Sequence, residues 1–175
     1  MEVMKKKIIV VIIIFILTTL SYFGYLAIKK FTTPENVHYH AGFVVFQNDK
    51  KIDFSDFKYM RVKPCLLDES NHDESPEDIQ SEKAHLHDNV GDVVHIEGEG
   101  TIWKDLFTNI KYDLDYTSAT TYINGKKVSN FENLSVQPDD SIVILTGDNK
   151  SDHLKDAVSK KYIEEKAAKS VDCGE

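Results

Sequence analysis

The chain has 175 residues, with 21 Lys+Arg against 29 Asp+Glu and a net charge of −8, which allows one domain plus accessories. Residues 1–30 hold five of the lysines and only Glu2, so residues 31–175 carry 16 basic and 28 acidic side chains, a net −12. A field of that sign repels phosphate backbones, which argues against nucleic acid binding, and it attracts cations.

Residues 8–28, IIVVIIIFILTTLSYFGYLAI, form 21 consecutive uncharged residues flanked by Lys5, Lys6 and Lys7 before and Lys29 and Lys30 after. At the helical rise such a run spans a bilayer core of about 30 Å. It lacks an A-x-A-like cleavage site, so residues 1–30 are expected to be a cytoplasmic stub and an uncleaved transmembrane signal anchor. Three lysines against two favour an inside N-terminus, which places the soluble domain outside the cytoplasm as a single-pass cell-membrane protein. Residues 31–36 read as a tether.

The soluble part is expected to be one α+β domain over residues 37–150 with a mixed sheet of four to six strands. Residues 37–46, VHYHAGFVVF, read as a strand whose alternation puts His38 and His40 on one face. Asn48-Asp49-Lys50 then turns toward a hairpin partner at residues 51–54. Residues 55–83 form an acidic insertion. Ser75-Pro76-Glu77-Asp78 within it has the serine, first-turn proline and acid of a capped helix start. Turn residues Asp88, Asn89 and Gly91 favour a helix stop near Ala84, which would let His85 and His87 converge. Residues 92–97, DVVHIE, read as a strand with Val94 and Ile96 on the core face and His95 with Glu97 on the other. Thr101 is expected to cap a helix over IWKDLFTNI that packs Ile102, Leu106 and Phe107 on the sheet. Residues 119–123 form a strand, Asn124-Gly125 a hairpin turn, and residues 141–146 a buried strand. Residues 152–168 read as a charged helix in a C-terminal segment, 151–175, with Leu154, Val158 and Ile163 on one side.

Five of the seven histidines fall in two clusters, His38 with His40, and His85 with His87 and His95. Clustered imidazoles beside carboxylates suit divalent metals, zinc first and copper next, with Asp88, Glu97 or Cys65 completing the shell. Cys65 and Cys173 are the only cysteines and could instead form a disulfide. The acidic run 68–82 lacks EF-hand spacing. No H-x-H-x-D-H motif or nucleophile elbow is present, and about 250 residues would be needed for a barrel hydrolase.

The segments VVHIEGEGTIWKDLF, YINGKKV and SVQPDDSIVILTG resemble the β-grasp fold of sulfur-carrier and ubiquitin-like proteins. The resemblance implies a β-grasp-like sheet but no sulfur-carrier activity, because Gly147 continues into further chain. The paired HYHAGFVVF and HLHDNVGDVVHIE stretches resemble an uncharacterised family of small membrane-anchored prokaryotic proteins, which implies a shared architecture. Two further function classes stand beside metal binding: a membrane-tethered module that binds a protein partner, and a small metal-dependent enzyme.

Overall fold

Strand β1, Tyr39–Gln47, is buried continuously from Ala41 to Phe46. A strand whose alternate residues are all apolar needs cover on both faces, and that need organises the domain. The computed structural model describes Thr18, Thr19, residues 37–61 and residues 75–168. The chain divides into two compact units, Met1–Asn36 and Val37–Glu175, and the fold that follows is that of the second.

β1 pairs in parallel with β6, Ser141–Thr146, from Gly42↔Ser141 to Gln47↔Thr146. Its other edge is shared by two antiparallel partners. β3, Val93–Ile96, takes residues 39–42, and the short β2, Lys50–Lys51, takes residues 46–47. β6 pairs antiparallel with β4, Thr120–Ile123, which pairs antiparallel with β5, Lys126–Val128. The path is β2-β1-β6-β4-β5, with β3 on β1. The β4–β5 turn uses Asn124 and Gly125, both at positive φ, as a two-residue hairpin requires. Asn124 is also tied outward: its Nδ2 donates to Asp140 Oδ1 at 2.8 Å and its Oδ1 accepts from Ser141 N–H at 2.9 Å.

Among the described residues three short α-helices accompany the sheet: α1, Pro76–Lys83; α2, Trp103–Asn109; and α3, Lys160–Ala167. Ala41, Phe43, Val45, Val94, Ile96, Ile142 and Ile144 form one sheet face, buried against Trp103, Leu106 and Phe107 of α2. Phe107 meets Phe43 edge-on at 6.2 Å and Phe131 at 6.5 Å, the T-shaped geometry that ring quadrupoles favour. Val44, Phe46, Val93, Val143 and Leu145 form the other face, buried with Val158 and with Ile163 of α3.

Several expectations are corrected. No helix among the described residues is long and apolar enough to cross a membrane, so the N-terminal transmembrane helix is not supported. Apart from Thr18 and Thr19, residues 8–28 lie outside the described residues, as do Cys65 and Cys173. The charged helix of residues 152–168 is broken. His153 is left-handed at φ 50°, a 3-10 turn covers Leu154–Asp156, and Ala157 is the extended residue that ends it. Ser159 then caps α3 by accepting from Tyr162 N–H. Thr101 does not cap α2. Its hydroxyl bonds Lys83 O and Gly98 O, and Asp105 Oδ2 accepts the free Ile102 N–H instead.

Gly42 lies where the C-terminal segment packs closely on β1. A Cβ there would sit 2.5 Å from Val158 Cβ. Gly42→Ala is therefore expected to destabilise the domain by about 1–3 kcal/mol, the usual cost of overpacking. Denaturant unfolding reads this directly, and an unchanged midpoint would contradict the packing of Val158 on β1.

Candidate metal centre

The site is built from strand register. His38 and His40 share the sheet face of Gly42 and Val44, because strand side chains alternate. β3 sets His95 directly against His40. From the other side, a one-residue bridge sets His85 against His95. There the two backbones exchange both hydrogen bonds, His85 N–H to His95 O at 3.0 Å and His95 N–H to His85 O at 2.9 Å. Three adjacent segments thus carry the row His40–His95–His85. His38 and His87 extend it in opposite directions: antiparallel register puts His38 level with Glu97, and His87 level with Val93.

Local chemistry delivers His85 and His87 to that row. α1 starts on the reciprocal bonds between Ser75 and Asp78, with Pro76 in the first turn. It ends at Lys83, and Ala84 is already extended. Both histidines therefore follow the helix end and turn to one side, as the turn residues led us to expect. Asp88 and Asn89 are both left-handed and reverse the chain. Asn89 Nδ2 donates to Ser55 O at 3.0 Å, and Gly91 lies where any Cβ would run into the Phe54–Ser55 backbone. These contacts fix the loop that carries His87.

His95 is the centre of the cluster. The His38 and His85 rings lie nearly parallel to it, with centroids at 4.5 and 5.0 Å. His40 and His87 meet it tilted, at 4.5 and 4.7 Å. One nitrogen each from His38, His40 and His95 lie within 4.8 Å of one another, and the same holds for His85, His87 and His95. Each triplet could hold a metal ion. His38 is exposed and His40 and His87 are half-buried, whereas His85 and His95 are only 7% and 5% exposed. Nε2 of His40, Nδ1 of His85 and Nε2 of His95 are buried without a hydrogen-bond partner. Burying one such atom unpaired costs about 1–3 kcal/mol, and three on neighbouring rings fit lone pairs arranged for a ligand.

The carboxylates divide their roles. Asp88 Oδ2 accepts from His87 Nδ1 at 2.7 Å, and His87 Nε2 is hydrogen-bonded to His95 Nδ1 at 2.6 Å. Glu97 approaches His95 Nε2 at 3.4 Å and His85 Nε2 at 4.0 Å. Arg61 holds that carboxylate at 3.3 Å and Glu82 at 2.8 Å. Arg61 and Glu82 were not among the residues the sequence pointed to. The available signal was composition, since Arg61 is the only arginine in the chain. Cys65 lies outside the described residues. His153 stands apart, stacked on Phe46 at 3.8 Å and held by Asp49 and Asp156 at 3.0 and 3.1 Å.

Burial controls protonation. It pushes His40 down to about 4, helped by the electrostatic repulsion of the neighbouring His95 ring. It pushes His85 down to about 3, helped by the Arg61 guanidinium. Both rings are therefore neutral at neutral pH with lone pairs available, although His40 keeps enough solvent contact to soften its shift.

Unfolded, these two imidazoles regain the ordinary value near 6.5. Below it the unfolded chain binds protons that the folded His40 and His85 do not, so the two rings destabilise the fold increasingly as pH falls from 6.5 toward 4. Thermal melts of chelator-treated protein should show Tm falling across that window. A His40→Gln, His85→Gln variant should show a shallower slope, and an unchanged slope would contradict their buried neutral state.

Neither a protein-family model, nor a curated protein, nor a solved structure matches the chain.

Proposed function

We propose that this domain binds a divalent transition metal, zinc first and copper next, through His38, His40, His85, His87 and His95. One observation carries the reading: His85 and His95 are buried with unpartnered nitrogens while His38 and His40 from one neighbouring segment and His87 from the loop after His85 gather around them. A structural role alone would pair those nitrogens with backbone or side-chain groups, as buried polar atoms nearly always are.

The chemistry of the donor set supports the choice of metal. Imidazole suits zinc and copper, whereas calcium and magnesium prefer an all-oxygen shell. Ligand nitrogens about 2.0–2.1 Å from zinc sit closer together than 4.8 Å, so small ring rotations complete the shell. Depressed protonation at His40 and His85 weakens proton competition for the ion at those two rings. Exposed His38 gives an ion access from solvent, and the acidic surface raises the local cation concentration. The same reading takes the domain as β-grasp-like, supported by the parallel β1–β6 pair with α2 packed across it.

Metal analysis and calorimetric titration of the full-length chain test the proposal. Zinc or copper(II) should bind more tightly than about 0.1 mM, and His85→Ala and His87→Ala should each weaken it. Variants that bind as well as the parent would refute the site. Asp88→Asn is expected to weaken binding by about 10–100-fold, because an outer carboxylate fixes the tautomer of a ligating histidine. Unchanged affinity in that variant would remove Asp88 from the supporting role.

A further inference from the structure

We infer that the centre holds two metal ions that share His95, one ligated by His38 and His40 and the other by His85 and His87. The inference rests on the metal-binding reading above and adds its stoichiometry and its bridge.

The five histidines do not converge on one point. Their donor atoms fall into two triplets, and His95 is the member common to both. Each triplet takes the remaining two ligands from one H-x-H pair, and the two pairs come from segments on opposite sides of β3. The arrangement around His95 is nearly symmetric. On each side one ring stacks, His38 at 22° and His85 at 15°, and one ring tilts, His40 at 60° and His87 at 63°.

The two nitrogens of His95 face opposite ends of the row. Nδ1 is turned toward His87, 2.6 Å away. Nε2 is turned toward Glu97 at 3.4 Å, the residue level with His38, and is buried without a hydrogen-bond partner. His40 Nε2 is unpartnered as well, on the His38 side. One imidazole ring can give a lone pair to an ion from each nitrogen once its N–H proton leaves for solvent. No oxidation change is involved: one N–H bond breaks and two metal–nitrogen bonds form. Asp88 and Glu97, at the His87 and His38 ends, supply negative charge beside each position.

Copper(II) is the probe, because two copper(II) ions joined by an imidazolate couple magnetically and lose paramagnetic signal. The full-length chain, dialysed after saturation, should retain two copper ions. Its integrated electron paramagnetic resonance intensity at two equivalents should fall well below that of two isolated ions. His38→Ala, at an exposed position, combined with His40→Ala should retain one ion with the full signal of one. Retention of a single ion by the unmodified chain would overturn the inference and leave the metal-binding reading standing. Two ions with the full signal of two isolated centres would overturn the bridge. Retention of none would overturn both readings.

Discussion

The reciprocal backbone pairing of His85 with His95 is the constraint on which the site depends. On the His85 side it is a one-residue bridge between α1 and the Asp88–Asn89 turn, next to the Met60↔Leu86 bridge and outside any regular strand. It nonetheless fixes which face every neighbouring side chain presents. Side chains alternate with period two, so a slip of one residue would send both His85 and His87 to the α2 face of the sheet. β3 is under the same rule from β1, where the pair Ala41↔Val94 locks apolar residues on one face and histidines on the other. The surrounding hydrophobic pattern therefore specifies the polar site: Val94, Ile96 and Leu86 must enter the main core, and His95 and His85 are carried to the opposite side.

That arrangement is costly, and the fold sets out what offsets it. Three unpartnered buried nitrogens oppose folding, as does the exclusion of protons from His40 and His85. Against them stand two apolar layers, one through Trp103, Leu106 and Phe107 and one through Val158 and Ile163. Each large side chain fully buried contributes about 1.5–3 kcal/mol. A domain that violates local polar rules at one place, while its turns, caps and core all agree, has the pattern expected when function rather than stability selects the residues.

Much of this was legible in the sequence where a local rule decides the outcome. The H-x-H alternation put His38 and His40 on one face. The Ser75–Pro76–Asp78 start and the turn residues after Ala84 bounded α1 on both sides. Asn124-Gly125 set a hairpin. Long-range pairing escaped because no local signal encodes it. DVVHIE indicated that His95 leaves the α2 face, yet not that flanking histidines from two other segments bury it. The 152–168 region has apolar residues at near-helical spacing, but left-handed His153, drawn between Asp49 and Asp156, breaks the run. Arg61 lies far from the histidines in sequence and acts only through Glu97 and Glu82, so no motif announced it.

The place of Arg61 bears on whether a cation can bind here at all. A half-buried guanidinium near His85 repels an incoming ion and, after burial itself, helps to hold His85 in its neutral form. Its charge is not isolated, however, because Glu82 and Glu97 both pair with it. With Asp88 on His87, three carboxylates face one guanidinium, and the neutral rings of His40 and His85 add nothing to that balance. The immediate surroundings are thus left negative, of the size that a divalent ion would neutralise. Arg61 is then best understood as a clamp: it orients Glu97 toward His95 and His85. It also prevents that carboxylate from swinging into solvent, so the negative charge stays fixed where the unpartnered imidazole nitrogens are.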